Sequence, residues 1–252
     1  MTARHLTVLT GASRGMGLAM AEQLIAAGHD LLCISRKTDE ALTEQASRHG
    51  VFCEQWEQDL SQSENAAQRL ERWLAKHDGA SLGSVTLINN AGLLPRIAPL
   101  GEIAAGDLAN ALRVDLEAPM LLTGAFLRAT SGWKAQRRIL NISSGLGRRA
   151  MASQAAYCAA KAGMDHFTRC VALEQAGQPN GARICALAPG VIDTEMQVQL
   201  RGADSSQFPD IGNFIGLKEK GSLASPQEAA AKVLAFLGRP DFGVNPVADI
   251  RD

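Results

Sequence analysis

Aromatic side chains are scarce, at 4% of the 252 residues, and there is a single tyrosine, Tyr157. There is also no excess of charge of either sign. With 25 basic and 26 acidic residues the formal net charge is −1, so no long-range field draws the chain to nucleic acid or an anionic membrane, and any bound anion must be held by local groups. No run of about 18 consecutive apolar residues is present to make a membrane-spanning helix. The apolar run near the start meets a glycine turn at once, which is not the pattern of a signal peptide, so a cytoplasmic protein is the default expectation. The five cysteines, Cys33, Cys53, Cys158, Cys170 and Cys185, show no C-x-x-C pairing and read as buried free thiols. The five histidines are scattered without ligand spacing, which argues against a metal site. Repeats, linkers and low-complexity tracts are absent.

What is present suits one large α/β domain, with 46% hydrophobic and 20% charged residues. The apolar run Leu6–Thr10 reads as a buried strand leading into Gly11-Ala-Ser-Arg-Gly15-Met-Gly17 and then a helical pattern from Leu18 to Ala27. Strand, glycine turn and helix open a dinucleotide-binding unit. Gly11 and Gly15 permit a tight turn and close approach to a pyrophosphate, Gly17 lets the helix lie near the strand, and the free N–H groups of the helix face the anion. The spacing is G-x-x-x-G-x-G rather than G-x-G-x-x-G.

A second strand, Asp30 to Ile34, ends in Ser35 and Arg36, with no acid where an NAD-binding chain places one on the ribose 2′-hydroxyl. A guanidinium there favours a 2′-phosphate, and Arg14 can reach the same group, so NADP(H) is expected over NAD(H). Thr38 to His49 reads as a helix, Val51 to Trp56 as the third strand and Ser63 to Lys76 as an amphipathic helix. Asp59, followed by Leu60, either accepts from an adenine amino group or caps the helix that Ser61 or Ser63 begins. Val85 to Asn89 forms the fourth strand, before Asn90-Ala91-Gly92, and Asp107 to about Thr130 reads as one helix bent at Pro119.

The Ala-rich, proline-free segment after Gln154 is good helix-forming material and places Tyr157 and Lys161 four residues apart on one face. A tyrosine pKa of about 10 is too high for ready proton exchange at neutral pH. Lowering it towards ~7 takes roughly 4 kcal/mol, and an ammonium about 4 Å away at an effective dielectric of ~20 supplies a similar amount. An acidified Tyr157 is therefore expected.

Taken jointly, Thr10-Gly-Ala-Ser-Arg-Gly-Met-Gly17, Asp59-Leu60, Asn89-Asn-Ala-Gly92, Ser144 thirteen residues before Tyr157, Lys161 and Pro189-Gly190 resemble the classical short-chain dehydrogenases/reductases over essentially the whole chain. The form P-G-x-x-D-T-x-M-Q from Pro189 to Gln197 is most similar to the sepiapterin reductase and benzil reductase branch. The resemblance implies a Rossmann-type three-layer α/β/α sandwich with a seven-stranded parallel sheet, Val247 to Ile250 being the edge strand. By the same resemblance, Gly11, Ser13, Arg14, Gly15, Met16, Gly17, Ser35, Arg36, Asp59, Leu60, Asn90, Ala91, Gly92, Pro189, Gly190, Val191, Ile192 and Thr194 hold the NADP(H), together with Tyr157 and Lys161. Ser144 polarises the substrate carbonyl and Tyr157 supplies the proton. Lys161 lowers the tyrosine's pKa and binds the ribose.

Where the family usually has an asparagine in the proton relay this chain has Asp115, in Arg113-Val-Asp-Leu-Glu-Ala-Pro119; it is expected to replace the asparagine, although its charge opposes the lysine. Leu93, Leu94, Leu146, Met151 and Met196 are expected to form an apolar substrate pocket beneath a lid at about 195–223. The implied activity is NADPH-dependent reduction of a ketone or diketone to a secondary alcohol. The alternatives are a 3-oxoacyl thioester reductase and a catalytically silent NADP-binding sensor or partner subunit. The small residues Ala155, Ala156, Ala159, Ala160, Ala162 and Gly163 allow close helix approach, and members of the family usually associate through this helix and the one before it, so the resemblance implies a homodimer or homotetramer.

Overall fold

A computed structural model describes residues 4–252. Seven parallel strands lie in the order β3-β2-β1-β4-β5-β6-β7: β1 (Arg4–Thr10), β2 (Asp30–Ser35), β3 (Cys53–Glu57), β4 (Leu82–Asn89), β5 (Gln136–Ile142), β6 (Arg183–Ala188) and β7 (Val247–Asp249). The inner strands are apolar almost without alternation because both faces are covered. Val8 pairs with Leu32 on one side and Leu87 on the other, and all three are inaccessible to solvent.

Helices α1 (Gly15–Ala26), α2 (Glu40–His49) and α9 (Pro226–Gly238) cover one face, around Leu9, Met20, Ile25, Leu187 and Val233. The other face is covered by α3 (Ser63–Leu74), α5 (Ala118–Ala129) and α6 (Ala155–Ala176), around Val8, Leu70, Leu87, Leu122 and Phe126. The expected three-layer architecture is present. Strand order reverses beside β1, since β2 follows it in sequence on one side while β4 flanks it on the other, and this opens a crevice at the carboxyl ends of the strands.

Several boundaries differ from those expected. Helix α2 begins at Glu40 because the Asp39 carboxylate accepts from the Ala41 N–H at 2.9 Å and caps it. The third strand starts at Cys53, two residues late. The segment 107–130 is α4 (Ala105–Leu112) and α5 joined by a wide π-turn at Arg113–Glu117, so the irregularity lies just before Pro119 rather than at it. Pro119 sits in the first turn of α5, where its missing N–H is tolerated. All five cysteines are free, but only Cys33 and Cys185 are buried; Cys53 and Cys158 are half-buried and Cys170, on the outer face of α6, is exposed. The last helix starts as expected, with Ser225 and Glu228 forming a capping box.

Residues 195–223 form α7 (Glu195–Arg201) and α8 (Ile211–Glu219), with a small core of their own in which Leu200, Phe208 and Phe214 pack against Leu94, Ile97 and Met151. No described helix is long and apolar enough to cross a membrane, and the described residues contain no cluster of metal-ligating side chains.

Candidate active site

The crevice is a cavity of about 840 Å³. Its floor is the turn between β1 and α1, built by backbone demands. The Gly11 N–H donates to the Ile34 carbonyl at 2.8 Å, and the Ala12 N–H donates to the Ser35 hydroxyl at 2.8 Å, so Ser35 braces the turn. Asn90 Nδ2 donates to the carbonyls of Thr10 (3.0 Å) and Gly11 (3.2 Å), while Thr10 Oγ1 accepts from the N–H groups of Asn90 and Ala91 at 3.0 Å each. A Cβ on Gly17 would lie 2.0 Å from the Gly11 carbonyl oxygen, so no larger residue fits where α1 begins. The result is a shallow cradle with Ser13, Gly15 and Met16 along it and the exposed guanidinium groups of Arg14 and Arg36 at its rim.

Every expected cofactor-binding residue lines this one cavity. Asp59 and Leu60 stand at one end and Pro189, Gly190, Val191, Ile192 and Thr194 at the other. Asp59 is exposed, and its Oδ1 accepts from the Ser61 N–H at 2.8 Å; α3 begins after Gln62 without a side-chain cap, so Asp59 shapes the turn and does not cap the helix. Thr194 Oγ1 donates weakly to its neighbour's carbonyl, Ile192 O, at 3.4 Å.

Ser144, Tyr157 and Lys161 converge in the same cavity beside Leu93, Leu94, Leu146, Met151 and Met196. Ser144 opens a short turn after β5, its hydroxyl accepting from the Leu146 N–H at 3.1 Å. That turn is fixed to α6 by Asp165, whose two carboxylate oxygens accept from the Ser143 hydroxyl at 2.5 Å and Arg148 Nε at 2.9 Å; Arg148 also donates to the Ala248 carbonyl at 3.0 Å. Asp165 lies four residues after Lys161 on the same helix face, a spacing legible in the sequence but not singled out there. Gln154, also on the cavity wall, carries no comparable sequence signal, whereas Gln197, there too, closes the Pro189–Gln197 form.

The electrostatics overturn one expectation. Tyr157 is buried, and burial pushes its phenol well above the ordinary tyrosine value; the Asp115 carboxylate raises it further, and only the Ser144 hydroxyl works the other way. Lys161 is buried as well, which holds its own pKa below the ordinary lysine value; its Nζ donates to the Ile142 carbonyl at 3.0 Å and lies 5.6 Å from the centre of the Tyr157 ring. Desolvation of the phenol and the Asp115 carboxylate thus act against the acidification expected from Lys161. A phenol held on the protonated side is suited to donating a proton.

Asp115 is not on the cavity wall. It sits in the π-turn, fully buried, with Oδ1 accepting from the Leu93 N–H at 2.8 Å and Oδ2 without a partner. A Cβ built on Gly92 would lie 3.4 Å from its Oδ1 and 3.7 Å from Lys161 Nζ, so the carboxylate and the ammonium both flank that glycine without forming an ion pair. Burial raises the Asp115 pKa, against the pull of Lys161 and the Leu93 N–H. A folded-state pKa above the unfolded one means stability is lost as pH rises from about 3.9 through the folded value. Asp115→Asn should therefore melt at a higher temperature than the native chain at neutral pH, with the gap closing in acid where the carboxyl is neutral in both states. Equal melting temperatures at neutral pH would contradict this, and unchanged turnover in both Asp115→Asn and Asp115→Ala would remove any part for it in proton handling.

Comparison with known proteins agrees with this geometry. The family model described as short chain dehydrogenase matches residues 5–205. The chain is 34% identical to a benzil reductase ((S)-benzoin forming) of Bacillus cereus over 235 residues, covering 93% of this chain and 94% of the relative. It is 31% identical to a sepiapterin reductase of Xenopus tropicalis, covering 92% and 90%. Among solved structures, a putative NAD(P)-dependent gluconate 5-dehydrogenase from Beutenbergia cavernae with bound NADP superposes with a TM-score of 0.82 at 28% identity, covering 99% and 96%. The chain belongs to the short-chain dehydrogenases/reductases.

Proposed function

We propose that the protein reduces a ketone or diketone carbonyl to a secondary alcohol with NADPH. The observation that carries this reading is the convergence of Ser144, a protonated Tyr157 and Lys161 in one cavity with a glycine cradle that leaves no room for a Cβ at Gly17. The cradle fits a dinucleotide. It offers the free N–H groups of α1 to a pyrophosphate and two rim guanidinium groups, Arg14 and Arg36, to a 2′-phosphate, with no acid at the end of β2 to repel it. When bound, NADPH supplies the hydride.

The chain's own groups handle the charge that develops on the substrate oxygen. The Ser144 hydroxyl donates to that oxygen and Tyr157 Oη gives it the proton, while the apolar side chains of Leu94, Leu146 and Met151 keep water from the reacting carbon. Lys161 holds the cofactor ribose. The benzil reductase and sepiapterin reductase relatives reduce compounds with adjacent carbonyls or a ketone beside a ring, by their names, and this supports a carbonyl of that kind as the substrate.

The reading is tested by following NADPH oxidation with a panel of diketones, keto esters, pterins and a 3-oxoacyl thioester. Turnover of the diketones is expected; preference for the thioester would move the assignment to acyl chains, and tight NADPH binding without any turnover would mark a silent binding protein. Removing both guanidinium groups, Arg14→Ala with Arg36→Ala, should weaken NADPH by about 30- to 1000-fold, from two lost charge-assisted contacts of about 1–2 kcal/mol each, and leave NADH within a few-fold. Equal losses for the two cofactors would show that these arginines do not read the 2′-phosphate.

A further inference from the structure

Asp165 goes against two local preferences. It sits in the middle of α6, where aspartate is among the weaker helix formers, and its side chain is buried, although taking a carboxylate out of water is costly and well-packed apolar groups often serve stability as well. It caps neither end of the helix. Departures of this kind gather at functional sites.

The two oxygens of Asp165 bracket Ser144. Oδ1 accepts from the hydroxyl of Ser143, the residue before it, and Oδ2 accepts from Nε of Arg148, the residue that closes the short turn after it. Arg148 reaches on to the Ala248 carbonyl, so one carboxylate joins the end of β5, the middle of α6 and β7. The turn is also pressed against α6, since a Cβ on Gly147 would lie 2.9 Å from both the carbonyl carbon and the carbonyl oxygen of Lys161. Within this frame the Ser144 oxygen accepts from the Leu146 N–H, which leaves its own hydrogen available for donation. Where that hydrogen can be delivered depends on how the turn is held.

We propose that Asp165 is a positioning residue for the reduction: bonded to Ser143 on one side and Arg148 on the other, it holds the turn so that the Ser144 hydroxyl meets the substrate oxygen in the orientation that stabilises developing charge. This rests on the carbonyl-reduction reading. Asp165 is not on the cavity wall and acts only through Ser144. A misplacement of about 1 Å caused by a change distant from the chemistry can slow a reaction by about 100-fold.

A double-mutant cycle tests this, read as NADPH oxidation in a single turnover at saturating diketone. Asp165→Asn keeps the shape and loses the charge-assisted bond to Arg148. It should slow the native enzyme by about 10- to 100-fold, with NADPH affinity and KM within a few-fold. In a Ser144→Ala background the same substitution should cost less than about 3-fold, because the group it positions is already gone. Ser143→Ala and Arg148→Met remove the two contacts singly from outside α6 and should show the same loss of effect in that background, which keeps the test open should Asp165→Asn fold poorly. A purely structural role would slow both backgrounds equally. Equal slowing, or no slowing of the Ser144-containing enzyme, would overturn the assignment and leave carbonyl reduction standing. If the native enzyme reduces no carbonyl compound, the assignment falls together with the reading on which it rests.

Discussion

Tyr157→Phe lowers kcat for carbonyl reduction by about 10²–10⁴-fold, the range for loss of a positioned general acid, while NADPH affinity stays within a few-fold. The substitution removes one hydroxyl from a ring that is almost completely buried and keeps its shape, so the cradle and the Ser144 turn are left in place. Ser144 still polarises the carbonyl, which is why some activity survives. The pH profile carries the sharper test. The active form in reduction is the protonated phenol, and burial with the Asp115 carboxylate holds its pKa above the ordinary value of about 10. Protonation is lost only as pH rises through that raised value, so the reduction rate should show no tyrosine-linked decline between neutrality and about pH 9. A decline centred near neutrality would mean that Lys161 acidifies the phenol during turnover. Because Tyr157 is the only tyrosine, its ionisation can be followed directly by ultraviolet absorbance. Undiminished turnover in the phenylalanine variant would end the assignment of the acid.

Gly17→Ala should reduce NADP(H) affinity by more than about 100-fold and destabilise the fold by on the order of 3 kcal/mol, as overpacking against rigid backbone does. The added methyl would sit 2.0 Å from the Gly11 carbonyl oxygen and 2.5 Å from Asn90 Nδ2. Neither neighbour can yield cheaply. The Gly11 carbonyl belongs to the turn itself, and the Asn90 amide bonds both Thr10 and Gly11, tying the end of β4 to the cradle. Separating α1 from β1 moves the N–H groups that would face a pyrophosphate. Gly106→Ala is the matched control: its Cβ would meet nothing within 4 Å and it lies inside α4, so it should be neutral or stabilising by about 0.4–1 kcal/mol. Thermal melting and a fluorescence titration with NADPH read both variants. Native affinity in Gly17→Ala would show that the cradle is not the nucleotide site.

The layered fold and most of the site were legible in the residues themselves, because the features that specify them are local. Leu6–Thr10, Asp30–Ile34 and Val85–Asn89 announce buried strands by composition alone. Gly11, Gly15 and Gly17 mark a turn whose need for absent side chains is a property of neighbouring backbone. The four-residue step from Tyr157 to Lys161 follows from helical geometry, and all the expected binding residues meet in one cavity.

What the tertiary structure decided was the state of those groups. The expected acidification of Tyr157 set its lysine against the charge of Asp115 but had no measure of burial, and desolvation of the phenol is the largest influence on its pKa, ahead of the carboxylate delivered by the π-turn of a different helix. The unmatched amide of Gln154 and the clamp of Asp165 on the Ser144 turn exist only once distant segments are packed together. Sequence determined where the functional side chains lie because backbone geometry repeats at short range; tertiary packing determined what they can do, because desolvation and charge act through space.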